Sequence, residues 1–208
     1  MTGRSRSVRQ RHRARLGPGD LGFTCVELVL ALGIVVMLAS LVVPATAEVV
    51  DASRARQAAG FMASRFRLAR LQAVSSTRSV GLVFDLVGGR WTFRLCTDGN
   101  GNGLRRAELI AGPDRCAEGP YDLTAMFPGM AIDVDPRLPG PEGDPGTGDP
   151  VRFGSSDILS FSAAGTCTAG TLFLRSESGT QYGVRVSNLT ARTRILRYEA
   201  GLRQWVPA

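Results

Sequence analysis

Residues 22–43 read GFTCVELVLALGIVVMLASLVV, and this stretch decides how the rest of the chain is interpreted. Residues 23–43 form one apolar run of 21 residues in which Glu27 is the only charged side chain. A helix of this length, with a rise of about 1.5 Å per residue, spans roughly 30 Å, which is the thickness of a bilayer core. The run therefore predicts a transmembrane helix.

A strongly basic leader precedes the run. Residues 1–22 contain six arginines and one acidic residue, so they account for +5 of the formal net charge of +7. By the positive-inside rule this leader stays in the cytoplasm, and the C-terminal part of the chain is exported. Because the rest of the chain carries only +2, its total charge does not by itself indicate an anionic partner.

Other kinds of N-terminal segment compete for the same residues. The sequence Ala45-Thr46-Ala47 fits a signal peptidase site, which would release a soluble exported protein cleaved after Ala47. Against this, the apolar run is longer than the usual ~7–15 residues of a signal peptide and contains an acid. A lipoprotein signal is set aside because the apolar run follows Cys25 instead of preceding it. A plain signal anchor leaves Glu27 unexplained.

The residues around Gly22 carry a more specific pattern. Gly22, Phe23 and Glu27, followed by the apolar run, resemble the prepilin peptidase site of type IV pilins and type II secretion pseudopilins. The resemblance implies cleavage after Gly22 and N-methylation of Phe23. Cys25 departs from it, since an aliphatic residue is usual there, whereas Pro44 stands where members of the family commonly carry a helix-kinking proline.

In that family the glutamate pairs with the free α-amino group of a neighbouring subunit, which gives Glu27 a reason to lie in an apolar segment. A charge buried alone is costly, whereas two opposite charges buried together are tolerated. The resemblance therefore implies three partners, namely prepilin peptidase, other pilin or pseudopilin subunits, and the inner membrane. It places the protein in that membrane as a single-pass protein, and then in a pilus or pseudopilus.

A helical pattern continues beyond the membrane segment, and residues 44–78 are predicted to form an amphipathic helix that enters the head. Apolar residues recur there at spacings of three and four, which is typical of one helix face packed on a core. They are Ala52, Ala55, Ala59, Met62, Phe66, Ala69 and Ala73. Six arginines off this stripe are expected to face solvent, at positions 54, 56, 65, 67, 70 and 78.

Residues 79–208 are predicted to form a β-rich head outside the cytoplasm. Strands are expected at 80–86, 91–96, 158–162, 171–175, 182–187 and 193–198, and Gly88-Gly89 indicates a hairpin turn between the first two. Residues 136–150 are rich in Pro, Gly and Asp and are predicted to form a loop. The fold class is therefore α+β, with a long N-terminal helix packed on a small antiparallel sheet.

The head resembles the GspH/FimT branch of the pilin superfamily. The segments that carry the resemblance are ILSFSAAG (158–165), GTLFL (170–174), YGVRVS (182–187) and an arginine-bearing last strand, together with the Asp98–Gly103 turn and Phe127-Pro128-Gly129. It implies a minor pilin or pseudopilin, a structural subunit of a type IV pilus or a type II secretion pseudopilus. The alternative is a FimT-like minor pilin that binds DNA during uptake.

Enzymatic chemistry has little support in the sequence. The chain contains no lysine, and its one histidine, His12, lies in the leader. The mature chain therefore lacks a histidine base for a Ser or Cys nucleophile, a His-based zinc site and a P-loop lysine. No catalytic residue and no cofactor is predicted.

The segment Asp98-Gly99-Asn100-Gly101-Asn102-Gly103 matches the first half of an EF-hand loop. The twelfth position of that loop, which requires an acid, is Leu109, and Glu108 comes one residue early. Asn, Asp and Gly residues also form ordinary turns. We therefore expect a turn and predict no metal.

The exported cysteines are candidates for a disulfide, because export favours oxidation. Cys96 and Cys116 bracket the Asp98–Gly103 turn and are the expected pair. Cys167 is left over, and a pair that involves it is the alternative.

The C-terminal region is locally basic. Residues 185–203 contain five arginines and one acid, whereas residues 79–160 carry a net charge of −5. Arg192, Arg194 and Arg197 are the candidate DNA-binding residues, and the spacing of Arg192 and Arg194 predicts that both lie on one face of a strand. The same arginines would also protect an exposed edge strand from aggregation.

Overall fold

The computed structural model describes residues 22–208, with no description of the side chains of residues 41–48. The chain divides into two compact units, Met1–Pro44 and Ala45–Ala208. We call the second one the globular unit. Its elements, together with the N-terminal helix, are α1 (Cys25–Ser76), β1 (Val80–Val87), β2 (Arg90–Thr97), α2 (Arg106–Ala111), β3 (Arg115–Asp122), α3 (Leu123–Met126), β4 (Met130–Ala131), β5 (Val151–Arg152), β6 (Ile158–Phe161), β7 (Gly170–Ser176), β8 (Gln181–Val186), β9 (Thr193–Glu199) and β10 (Gln204–Pro207).

The strands form two antiparallel sheets. The first sheet has the order β3-β2-β1-β6, and the second has the order β10-β9-β8-β7-β4, with β5 also paired to β7. The predicted mixture of helix and antiparallel sheet is confirmed, and so are the six predicted strands within one or two residues at their ends. The separate roles of residues 23–43 and 44–78 stay predictions.

The β1–β2 hairpin forms as the sequence predicts. Val87 pairs with Arg90, so the turn consists of Gly88 and Gly89 alone, at φ values of 57° and 78°. A two-residue type I′ turn requires positive φ at both positions, which glycine adopts without steric cost. The turn sets the register that brings Phe84 opposite Phe93 on the inner face of the first sheet.

The core lies where α1 packs against the inner faces of both sheets. Six of the seven residues in the predicted helix stripe are buried there, and Phe66 meets Phe153 edge to face with ring centroids 5.9 Å apart. The prediction for Ala52 is wrong, since this residue is exposed. It lies one turn before Ala55, the first buried residue of the stripe.

The arginines of α1 do not all face solvent as predicted. Arg65 is half-buried, forms an ion pair with Glu118 on β3 and lies with its guanidinium carbon 5.8 Å from the ring centre of Tyr121. This contact was missed because β3 has the sequence RCAEGPYD, whose Gly-Pro pair is atypical of a strand. Arg65 therefore links α1 to β3, the edge strand of the first sheet.

The outer faces of the two sheets are covered by segments that connect the strands. On the first sheet, Val83, Cys96 and Ile158 form a small second core with Leu104 and Leu109, which belong to the excursion between β2 and β3. On the second sheet, the predicted loop 136–150 is held by polar contacts. The indole N–H of Trp205 donates to the carbonyl oxygen of Pro139 at 2.7 Å, and Arg152 pairs with Asp144 at 2.6 Å.

Candidate functional site

The predicted cleavage site lies directly before the first turn of α1. Gly22, Phe23 and Thr24 are non-helical, and the side chain of Phe23 is 82% exposed. The backbone N–H of Glu27 donates to the side-chain oxygen of Thr24 at 3.2 Å, and the N–H of Leu28 donates to the carbonyl oxygen of Thr24 at 3.1 Å. Thr24 therefore caps the helix, and Thr24 and Glu27 have the spacing of a capping box.

Glu27 stands in the first turn of α1, where the partial positive charge of a helix N-terminus favours a carboxylate. The apolar side chains on both sides of it, from Val26 to Leu38, are exposed. Within the described residues, no helical stretch is both long and apolar enough to span a bilayer. The transmembrane role of residues 23–43 and the roles of Gly22, Phe23 and Glu27 stay predictions.

The Asp98–Gly103 segment is a turn built around one buried carboxylate. One oxygen of Asp98 accepts from the N–H groups of Asn100 and Gly101 at 3.0 and 2.8 Å, and the other accepts from Gly103 at 2.7 Å. Burial raises the pKa of Asp98, but these backbone hydrogen bonds outweigh it and hold the pKa below its ordinary value. The carboxylate therefore organises the loop in its ionised form.

The other acids near this turn also have partners within the chain. Asp114 accepts from the N–H groups of Gly99 and Arg105, and Glu108 accepts from the side-chain amides of Asn100 and Asn102 at 2.7 Å each. Among the described residues, no group of three His, Cys, Asp or Glu side chains is arranged to hold a metal ion. The side-chain oxygens of these acids accept hydrogen bonds that stabilise the turn, and a turn is what the composition of the segment predicts.

Cys96 and Cys116 are directly opposite each other on β2 and β3, and a disulfide joins them in the structure. Cys167 is buried, and its thiol lies 3.2 Å from the carbonyl oxygen of Ser187. Burial raises the pKa of the Cys167 thiol to about 11, so the thiol is protonated at neutral pH. The pairing of Cys96 with Cys116 in the protein in solution is a proposal that peptide mapping can test.

The candidate DNA-binding arginines do not share one strand face. Arg194 and Arg197 both lie in β9, three positions apart, so their side chains leave opposite faces of the second sheet. Arg194 is opposite Arg185, which is paired with Glu142, and Arg197 is 3.5 Å from Glu199. Two of the five arginines at 185–203 are thus partnered by acids.

The prediction that Arg192 and Arg194 lie on one face of a strand stays a prediction. β9 begins at Thr193, so Arg192 precedes the strand, and Ala191 before it has a φ of 47°. The carbonyl oxygen of Arg192 accepts from the N–H of Ser187 at 3.2 Å, which continues the pairing of β8 with β9 by one residue. Arg192 and Arg194 are nevertheless both exposed, and within the described residues neither forms an ion pair.

Comparison with known proteins gives one family. The family model described as type II transport protein GspH matches residues 58–190. A solved structure of the minor pseudopilin EpsH from the type 2 secretion system of Vibrio cholerae matches 69% of this chain and 97% of that chain, with 18% sequence identity and a TM-score of 0.38. This structural likeness is too weak to support an argument. No curated protein sequence matches.

Proposed function

The chain belongs to the GspH family of type II transport proteins, and from that premise we propose that it is a minor pseudopilin, a structural subunit of a type II secretion pseudopilus. The observation that carries this proposal is the family match over residues 58–190, which covers the last third of α1 and most of the strands. A type IV pilus subunit is the related alternative, and the family match favours the secretion role.

Maturation by prepilin peptidase is the first step of the proposed pathway. The Gly22–Phe23 bond precedes the capped first turn of α1, so it lies in non-helical backbone next to an exposed Phe23. This geometry supports access by a peptidase. Cleavage would leave Phe23 as the N-terminal residue, which we propose to be N-methylated, and would remove the basic leader.

Assembly is proposed to use the α1 segment that follows the cut. The apolar side chains from Val26 to Leu38 are exposed, and Glu27 is the only charge among residues 23–43. Lipid before assembly, and the helices of neighbouring subunits after it, would cover these side chains. The carboxylate of Glu27 would then pair with the α-amino group of the adjacent subunit, since a buried charge requires a partner. No enzymatic step is assigned to the chain itself.

N-terminal mass spectrometry of the membrane-extracted protein tests the maturation step. We expect a mature chain that begins at N-methylated Phe23. A chain that begins at Glu48 would instead identify a signal peptide cleaved after Ala47, and it would end the pseudopilin proposal.

The variant Glu27→Ala tests the assembly step. We expect normal leader cleavage but at least a roughly tenfold loss of incorporation into the pseudopilus, because a buried amino group left without its partner costs about 3–5 kcal/mol. Glu27→Asp is the matched control, since it keeps the charge and should retain part of the incorporation. Wild-type incorporation of Glu27→Ala would refute the pairing mechanism.

DNA binding is a second candidate function. The exposure of Arg192 and Arg194, with no ion pair to either among the described residues, favours it. Arginine suits phosphate because its planar guanidinium can donate two parallel hydrogen bonds. Since Arg185 and Arg197 are already paired with acids, the site would make few phosphate contacts and would bind weakly.

A further inference from the structure

A groove of about 580 Å³ lies on the globular unit, between the last turns of α1 and the segment that joins β8 to β9. The residues that matter here are Arg67, Arg70, Leu71, Val74, Ala191 and Arg192. The first four are spaced so that they share one face of the helix. That face is distinct from the core-packing stripe of Phe66, Ala69 and Ala73, so the helix side of the groove is not part of the core, whereas Ala191 on the opposite side is buried in it.

The floor of the groove is apolar and uncovered. The side chain of Leu71 is 67% exposed and that of Val74 is 51% exposed. Leu189, which is two residues before Ala191, is 83% exposed and adds to the apolar surface of the same connection. Clustered exposed apolar side chains in a folded protein mark sites where another molecule packs.

The rim of the groove carries positive charge that no acid among the described residues balances. Within the described residues, Arg67, Arg70 and Arg192 form no ion pair. Arg65, two positions earlier on the same helix, illustrates the contrast, because it is paired with Glu118 and half-buried. Three unpaired guanidinium groups around an apolar floor are complementary to carboxylates that stand beside apolar side chains.

We propose that this groove docks a peptide segment of a neighbouring pseudopilus subunit, with its carboxylates on the three arginines and its apolar side chains on Leu71 and Val74. This inference rests on the proposed function, which supplies the neighbouring subunits. It gives the second half of α1 an intersubunit contact that is separate from the one assigned to Glu27.

A nucleic acid fits the groove less well. Its lining contains no aromatic side chain on which a base could stack, and stacking is the main apolar contribution to single-strand binding. A sugar-phosphate backbone would also leave the apolar floor without a matching surface. An acidic and apolar peptide satisfies both the floor and the rim.

Photo-crosslinking in the assembled system tests the proposal. The full-length chain, with Leu71→p-benzoylphenylalanine, is expressed together with prepilin peptidase and the pseudopilin subunits of the same secretion system. We expect a crosslink to one of those subunits, mapped by mass spectrometry to a segment with Asp or Glu next to apolar residues. The control carries the same photoreactive group in place of Ile110 on α2, which is 87% exposed and far from the groove in the sequence.

Charge reversal supplies the second measurement. Arg67→Glu combined with Arg70→Glu should reduce the crosslink from position 71 at least tenfold. The thermal midpoint of unfolding should stay near the wild-type value, because neither arginine is ion-paired in the described part of the chain. Arg54→Glu combined with Arg56→Glu is the matched control, since these exposed arginines lie on α1 outside the groove.

The outcomes separate this proposal from the proposed function. If the wild-type chain co-purifies with the other subunits but gives no crosslink from position 71, or if the crosslink survives charge reversal, the groove assignment is wrong and the subunit role stands. A crosslink to nucleic acid, or to a segment without acids, also overturns it. If the wild-type chain co-purifies with no pseudopilin subunit, both proposals fail together.

Discussion

Two parts of α1 differ in the exposure of their apolar side chains. Residues 26–38 expose large valine, leucine and isoleucine side chains, whereas residues 55–73 bury mostly alanines together with Met62 and Phe66. Small side chains permit close packing, which fits the mostly alanine composition of the buried stripe in the second part. The large apolar side chains of the first part are exposed, as its proposed role in assembly requires.

The variant with the largest expected effect lies in the second part of α1. It tests whether only that part of the helix stabilises the globular unit. Phe66→Ala should lower the free energy of unfolding by about 3–5 kcal/mol, because it leaves a cavity beside Phe153 in the core. Denaturant unfolding of the mature chain in detergent measures it.

Leu32→Ala is the matched control in the first part of the helix, where the side chain is exposed. It should change the same free energy by no more than about 0.5 kcal/mol. Equal losses of unfolding free energy for the two variants would show that both parts of α1 stabilise one folding unit. That result would contradict the difference between the two parts.

Removing the disulfide sharpens the comparison, because it measures how much of the free energy of unfolding depends on this covalent link. Replacing both Cys96 and Cys116 by alanine should cost about 3 kcal/mol in the chain-entropy model, for a sequence separation of 20 residues. Wild-type protein in reducing agent should show a similar loss, whereas the double variant should not respond to the reductant.

Non-reducing peptide mapping gives the pairing directly. We expect a Cys96–Cys116 peptide, and a Cys167 thiol that reacts with alkylating agent only after unfolding, because it is buried and protonated. A bridge between Cys167 and either of the other two would contradict the assignment.

The Asp98 turn should make a smaller contribution to the free energy of unfolding, and this contribution should depend on pH. Since the pKa of Asp98 is lowered on folding, its stabilisation is present above the unfolded-state pKa of about 3.9 and is lost as the pH falls through the lower folded pKa. Asp98→Asn should cost about 1–3 kcal/mol near neutral pH, because its amide group would face the N–H of Gly103 without accepting from it.

The difference between wild type and Asp98→Asn should shrink on acidification, which unfolding curves at several pH values measure. Glu177→Gln is the control, since this exposed acid lies outside the turn and its side chain forms no hydrogen bond or ion pair within the described residues. A difference that is constant across the acidic range would show that the carboxylate charge plays no part.

The smallest expected effect concerns DNA. With few unpaired arginines available, binding of a duplex oligonucleotide should be weak and should fall steeply with salt. Arg192→Gln combined with Arg194→Gln should remove most of the fluorescence anisotropy signal. Arg197→Gln should retain it, because Arg197 is near Glu199 and on the other face of β9 from Arg194. No salt-sensitive binding by the wild type at low ionic strength would reject this function.

The local parts of the fold were predictable because they depend on neighbouring residues. The Gly88-Gly89 hairpin requires only a turn that accepts positive φ between two apolar strands, and the helix stripe requires only a regular spacing. β3 was missed because its Gly-Pro pair and polar residues conceal it. Its place is given by pairing with β2 and by the contacts of Glu118 and Tyr121 with Arg65.

The sequence by itself determined the features that depend on order along the chain: the basic N-terminal segment, the Gly22–Phe23 pattern with Glu27, the apolar run, the mixed α+β class and the family resemblance. Only the tertiary structure decided which arginines form ion pairs within the described residues. Arg65 and Arg185 pair with acids on other segments, and Arg197 pairs with an acid on its own strand. Arg67, Arg70 and Arg192 instead line one groove. The physical reason is that ion pairing depends on distances of a few ångströms between residues far apart in the chain, and composition contains no information about those distances.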